Sequence, residues 1–363
     1  MKSNYFEAIA TLIGTVIGAG ILGIPFVIAK AGFITGTITI ILIGLAVLAM
    51  NYFYGVVILN VKGKHQLTGY ARILLGKWAK RIAAFSLIFG IYGAMIAYLI
   101  GEGRALSNIF SGNPLIFSLL FFIFVSIIVF IGIKAVANSE LFMVVIVLFI
   151  VLLISVLSFT KINVTNLVMF NPLYLALPYG VVLFAFLGAS AIPEMKIELG
   201  RQKNKLLKAI VIGSLIPIAV YIIFSLIVVG VCGGNTSEIA TTCLGEHIGS
   251  HMIIFGNLFA VFAMATSSIA LALALKQMYW FDFKLNKNLA WALTMFIPLI
   301  IFLLGMHSFI KTIAITGSVA GGVDGILITL MYWKIKKSKK TLILGTILVL
   351  MFVGGLIYTI LQI

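Results

Sequence analysis

Eleven apolar runs, most as long as a bilayer is thick, decide what this chain can fold into. They lie at roughly Ala8–Ala29, Phe33–Val61, Ile82–Ser107, Leu115–Ile133, Leu141–Phe159, Leu177–Pro193, Leu206–Val231, Met252–Met278, Leu289–Leu304, Ser308–Trp333 and Leu342–Leu361. A helix crosses a hydrocarbon core of about 30 Å with about 20 apolar residues. In lipid every backbone polar group needs a partner within its own segment, so these runs must be helices. The chain is 63% hydrophobic and 9% charged, too little charge to cover a water-facing surface. It reads as an all-α polytopic membrane protein. Lys2 gives the first run a signal-peptide-like flank, but the run is too long and no small-residue cleavage site follows. The first run is therefore expected to be a retained span.

A formal net charge of +16 would suit a nucleic-acid partner, but its distribution follows membrane topology instead. With a cytoplasmic N-terminus, Lys62, Lys64, Arg72, Lys77, Lys80 and Arg81 share one inner loop. Arg201, Lys203, Lys205 and Lys208 share another, and Lys334, Lys336, Lys337, Lys339 and Lys340 a third. Of 25 Lys and Arg only Lys30, Arg104, Lys161 and Lys311 fall outside. That asymmetry places the protein in a cell membrane with its C-terminus outside, and leaves lipid and small molecules as partners rather than nucleic acid. Cys232 and Cys243 border the outer loop after the seventh run, where a disulfide and two separate thiols both fit. That loop, Gly233 to Ser250, has the length of a lid.

The first run carries Thr15-Val16-Ile17-Gly18-Ala19-Gly20-Ile21-Leu22-Gly23 at its centre, with Gly14 before it and Pro25 beyond. Glycine lacks Cβ and proline lacks an N–H, so a helix breaks readily here and a ligand can approach the backbone. Open backbone at membrane depth persists only where protein covers it or a watery cavity bathes it. The sixth run repeats the pattern: Phe184-Ala185-Phe186-Leu187-Gly188-Ala189-Ser190-Ala191-Ile192-Pro193-Glu194. Five crossings separate the two runs, so they traverse the membrane in opposite directions. Interrupted segments at matching positions of two halves point to a transporter's binding site.

Such a pair suits a zwitterion. Freed N–H groups at the start of a half-helix, with its positive dipole end, take a carboxylate; freed carbonyls take an ammonium. On this reading Ala19 and Gly20 hold the α-carboxylate of an amino acid. The carbonyls of Val16 and of Leu183 or Phe184 hold its α-ammonium. Phe184 and Phe186 flank the second break at Gly188 and can close over the substrate.

The Gly14–Pro25 stretch and the Phe184–Glu194 stretch resemble the amino acid/auxin permease and tyrosine/tryptophan permease families of the amino acid–polyamine–organocation superfamily. The likeness runs across spans 1 to 10. It implies a leucine-transporter-type fold, a 5+5 inverted repeat with an eleventh transmembrane helix. The chain would be one transporter domain: repeat one at about 5–160, repeat two at about 175–335, and an extra helix at 341–362. Many relatives differ in their final spans. The resemblance also implies a neutral or aromatic amino acid substrate.

Thr266-Ser267-Ser268-Ile269-Ala270 in span 8 is similar to the sodium-site segment of sodium-coupled members of that fold. Carried across, the ligands are the Thr266 and Ser267 hydroxyls and the carbonyls of Ala263, Gly14 and Ile17. In an apolar helix the same hydroxyls can instead bond back to carbonyls one turn earlier. A proton-coupled relative carries a lysine on span 5, and there is none between Leu141 and Phe159.

Ionisable residues inside spans are functional candidates by default. Tyr98 and Glu102 stand one turn apart on span 3. Similar transporters have a tyrosine and a glutamate at this spacing, and Tyr98 can donate to the substrate carboxylate. The other reading sets Tyr98 in the outer interfacial belt and Glu102 beside Arg104 among headgroups. Asp324, in the glycine-rich stretch of span 10, serves with Glu102 as the proton-coupling alternative, or caps a kink. Glu194 and Glu198 are expected to pair with inner-loop bases such as Lys196 and Arg201. His65, His247, His251 and His307 show no metal-ligand spacing, so no cofactor beyond a coupling ion is expected. The expected function is cation-coupled amino acid import by alternating access. A sensor that uses the same site without flux is the alternative. A membrane enzyme would need clustered His, Asp or Cys, and the sequence has none.

Overall fold

The computed structural model describes residues 5–132, 140–305 and 308–362, and every regular element among them is helical. The first crossing is a pair, α1 (Tyr5–Val16) and α2 (Ala19–Ala31), bent by 50° at the break. Next come α3 (Phe33–Asn60), a short surface helix α4 (Leu67–Leu75), and the long α5 (Lys77–Phe110). α6 (Pro114–Ile131) and α7 (Glu140–Ser158) follow. The sixth crossing is split into α8 (Pro178–Phe186) and α9 (Ile192–Glu198), joined by a 3₁₀ turn at Ala189–Ala191. α10 (Leu206–Cys232), the short α11 (Ala240–Ile248), α12 (Ser250–Gln277) and α13 (Lys287–Leu303) follow. α14 (Phe309–Thr316) and α15 (Gly322–Ile335) form one stretch with a π-helical turn at Gly317–Gly321 between them, and α16 (Lys339–Gln362) is the last helix.

Nine described helical stretches are long and apolar enough to cross a membrane, ten with the bent first pair, and α13 is a shorter apolar helix. The protein is a multi-pass membrane protein. The basic connection from His65 to Lys80 folds as α4 and the start of α5, which begins at Lys77 rather than Ile82. Span 8 runs past Met278 through a π-helical turn that ends at Asp282.

Helix ends follow local chemistry. The Asn113 side chain accepts from Leu115 N at 2.9 Å with Pro114 in the first turn, and that starts α6. Asn286 caps α13 in the same way, accepting from the amides of Asn288 and Leu289. At the other end of α6, Lys276 of α12 donates to Val129 O at 2.5 Å and to Phe130 O at 3.2 Å. Lys276 is only 4% exposed and caps a neighbouring helix, where a cation meets the negative dipole end. Lys276→Met should lower stability by about 1–3 kcal/mol, because buried carbonyls lose a charged donor. Thermal unfolding in detergent checks this.

The core is a four-part centre. α2 packs on α8, and α1 packs on α9, so the two split crossings meet along their length. α5, α12 and α10 surround them. Beyond α2 the chain closes over with α11, which is tied to α10 by a disulfide between Cys232 and Cys243. The alternative of two separate thiols does not hold. Arg104 at the far end of α5 pairs with Glu238, just before α11, at 3.1 Å.

Candidate functional site

Both breaks sit where glycine stood in the sequence, and they face each other. A Cβ built on Gly20 would land on the backbone of Ala185, so α2 and α8 touch through a bare backbone. One on Gly18 would lie 2.6 Å from Ser267 Oγ and 3.1 Å from the Tyr98 hydroxyl, so α5 and α12 close in just as tightly. Gly188 lies against Val16 and Leu12 of α1. No side chain caps the start of α2, so the amides of its first turn, Ala19 and Gly20, face away from any capping group.

A cavity opens at these breaks. Val16, Ala19, Gly20, Tyr98, Phe184 and Gly188 all line it. Leu183 and Phe186 do not: Leu183 packs against Gly321, and Phe186 turns to Tyr221 with ring centroids 4.9 Å apart. Tyr98 is 2% exposed beside Ser267, which removes the interfacial-belt reading. Glu102 is fully buried rather than among headgroups. Neither of its carboxyl oxygens has a hydrogen-bond partner among the described residues, and it does not line the cavity. Asp324 does line it and accepts from Ser86 Oγ at 2.7 Å. Ser86 and Tyr98 are twelve residues apart on α5, roughly 18 Å at 1.5 Å per residue. Asp324 therefore stands well away from the breaks, toward the end where α1 begins.

One hydroxyl of α12 meets the end of α1. Ser267 Oγ donates to Gly14 O at 2.7 Å and lies 3.4 Å from Ile17 O. Thr266 Oγ1 bonds back to Ala263 O and Phe262 O, both at 3.0 Å. Of the five oxygens named in the sequence, Ser267 Oγ, Gly14 O and Ile17 O come together where α12 crosses α1, whereas Thr266 Oγ1 and Ala263 O pair within α12, the back-bonding alternative. The set is oxygen only, which suits a small hard cation. Among the described residues no group of three His, Cys, Asp or Glu side chains forms a metal cluster. His307 lies outside the described residues.

Sequence reasoning missed Tyr221. Its hydroxyl, fully buried on α10, sits 2.8 Å from Val16 O and 2.7 Å from Ala185 O. One phenol thus bridges the last residue of α1 and the end of α8, although a single proton can be donated to only one carbonyl at a time. Val16 O also accepts from Gly18 N at 3.0 Å. No local pattern marks this tyrosine, because its role exists only once three helices have met. Tyr221→Phe should lower the unfolding temperature by several degrees, the effect of about 1–3 kcal/mol for a lost buried partner. Thermal unfolding against the wild type tests it.

Glu198 of α9 accepts from Thr11 of α1 at 2.9 Å, and Glu194 accepts from Gln277 at 3.4 Å. Lys196 donates to Ile58 O at 2.5 Å, so it ties α9 to α3.

Two split crossings that meet at their breaks, with residues of both lining one cavity, define a leucine-transporter-type membrane transporter. The fold matches that of the transporter MhsT in complex with L-phenylalanine, with a TM-score of 0.73 over 98% of this chain and 97% of that one, at 15% identity. The family model for the tryptophan/tyrosine permease family matches residues 1–362, and the chain belongs to that family. It is a transporter and not an enzyme. The low affinity tryptophan permease of Escherichia coli (strain K12) is 25% identical over 305 residues, covering 76% of this chain and 72% of the relative. The tyrosine-specific transport system 1 of Haemophilus influenzae is 28% identical over 359 residues, covering 91% and 88%.

Proposed function

We propose that the protein imports amino acids, aromatic ones foremost, by sodium-coupled symport with alternating access. The observation that carries this reading is the Ser267 hydroxyl set between Gly14 O and Ile17 O, immediately before the break in α1. The α-carboxylate is held by Ala19 and Gly20 N–H and by the Tyr98 hydroxyl. The α-ammonium goes to the carbonyls at the breaks, those of Val16 and Phe184, whose residues line the cavity. Sodium would be held by Gly14, Ile17, Ala263, Thr266 and Ser267, and its charge fixes the end of α1 against α12. Coupling follows if that attachment favours the conformation competent for substrate. The names of the permease relatives support an aromatic side chain.

The repeat boundaries 5–160 and 175–335, with an extra helix at 341–362, belong to the same reading. So does a cytoplasmic N-terminus, supported by the basic loops. Proton coupling is the second reading, and the buried, unpartnered carboxyl of Glu102 favours it. Uptake of radiolabelled tryptophan into proteoliposomes, under sodium and pH gradients imposed separately, decides. Stimulation by sodium alone is expected. Stimulation by protons alone moves the coupling role to Glu102, and binding without uptake makes the protein a sensor.

A further inference from the structure

A second cavity, of about 850 Å³, lies at the end of the molecule where α1 begins, between the end of α3, α9 and the end of α12. Lys62, Lys64, Lys196, Arg201 and Lys203 line it. Among the described residues, none of these five pairs with a carboxylate. The two acids in its wall are turned to other partners. Asp282 accepts from the Thr68 hydroxyl, and Glu194 accepts from Gln277. Five bases against two acids leave the lining with a surplus of positive charge, which favours the entry of an anion.

The same cavity has an apolar lip. Ile197 and Phe281 line it and are 45% and 58% exposed. A basic pocket with exposed apolar side chains at its edge suits a ligand that joins a phosphate to hydrocarbon. We infer that this cavity binds the phosphodiester headgroup of an anionic phospholipid, with its acyl chains against Ile197 and Phe281. Basic pockets between membrane helices on the cytoplasmic side have the chemistry for such headgroups. A soluble phosphate shares the charge but leaves the apolar lip unused.

The site bears on transport because of what it bridges. Lys62 and Lys64 follow α3, whereas Lys196 is on α9, the second half of the split sixth crossing, and Arg201 and Lys203 are in the turn after it. That turn breaks the helix: Gly200 has φ +49 and Gln202 leaves helical geometry. A phosphate held between the two groups of bases ties α9 to α3, and so biases the position of α9.

Two measurements on the full-length protein test this. The first is native mass spectrometry after detergent extraction, with phosphatidylglycerol added back, comparing wild type with a Lys62→Gln, Arg201→Gln, Lys203→Gln variant. Wild type should retain phosphatidylglycerol, and the variant should lose most of it. A control variant, Lys336→Gln, Lys337→Gln, Lys340→Gln, should retain it like wild type. The second is initial uptake in phosphatidylcholine liposomes, with and without about a quarter phosphatidylglycerol. Wild type and control should change rate by about threefold or more, and the cavity variant by little, at an equal basal rate. Equal retention by all three proteins overturns the site. An effect reproduced by inorganic phosphate in pure phosphatidylcholine keeps the anion site but overturns the lipid assignment. Retention does not depend on the transport reading, so a protein that retains the lipid yet carries no amino acid contradicts that reading alone.

Discussion

Gly20→Ala is expected to reduce amino acid uptake by roughly a hundredfold, the cost of misplacing reacting or binding groups by about 1 Å. The added methyl would occupy the backbone of Ala185, so α2 and α8 must separate. Separation draws the first-turn amides of α2 away from the carbonyls at the end of α8, which damages the substrate site from both sides. Stability should fall as well, by about 1–3 kcal/mol for an overpacked contact. Gly354→Ala provides the contrast. A Cβ there meets nothing within 4 Å on α16, and alanine favours helix, so uptake should be unchanged and unfolding slightly delayed. Initial rates in proteoliposomes and thermal unfolding of both variants test the pair.

Ser267→Ala is expected to raise the half-saturating sodium concentration at least roughly tenfold, the effect of losing one charge-assisted oxygen contact. The hydroxyl is the one side-chain oxygen of the set already in hydrogen-bond reach of α1, through Gly14 O. Ser268→Ala is the control, because Ser268 Oγ bonds back to Ala265 O at 2.9 Å and takes no part in the crossing. Sodium titrations of tryptophan uptake separate the two. An unchanged sodium requirement in Ser267→Ala would remove these oxygens from the coupling site.

The fold class was legible because lipid forbids alternatives to helices, and because glycine and proline mark breaks through backbone chemistry alone. Gly18 and Gly188 announce the site for that reason. The Thr266-Ser267 pair was legible through its resemblance to a known segment, since a hydroxyl in an apolar helix is ambiguous by itself. What sequence could not show arises from packing between distant segments. Tyr221 is one of 12 tyrosines until α10 brings its hydroxyl to two breaks. Arg104 and Glu238 meet only after the chain between them has folded. Lys276 caps the end of α6, a contact that needs α12 and α6 to be side by side. Leu183 and Phe186 sit beside the break in sequence but face away from the cavity, because α8 is still a regular helix there and turns them to Gly321 and Tyr221.

The central claim is that the main-chain atoms at two facing breaks hold both charges of a zwitterion. Competition for tryptophan uptake by tryptamine, which lacks the carboxylate, and by indole-3-propionate, which lacks the ammonium, tests it most directly. The account predicts that neither competes at about a hundredfold excess, since each leaves one set of buried polar groups unpaired. Competition by either compound within about tenfold of tryptophan itself would contradict it.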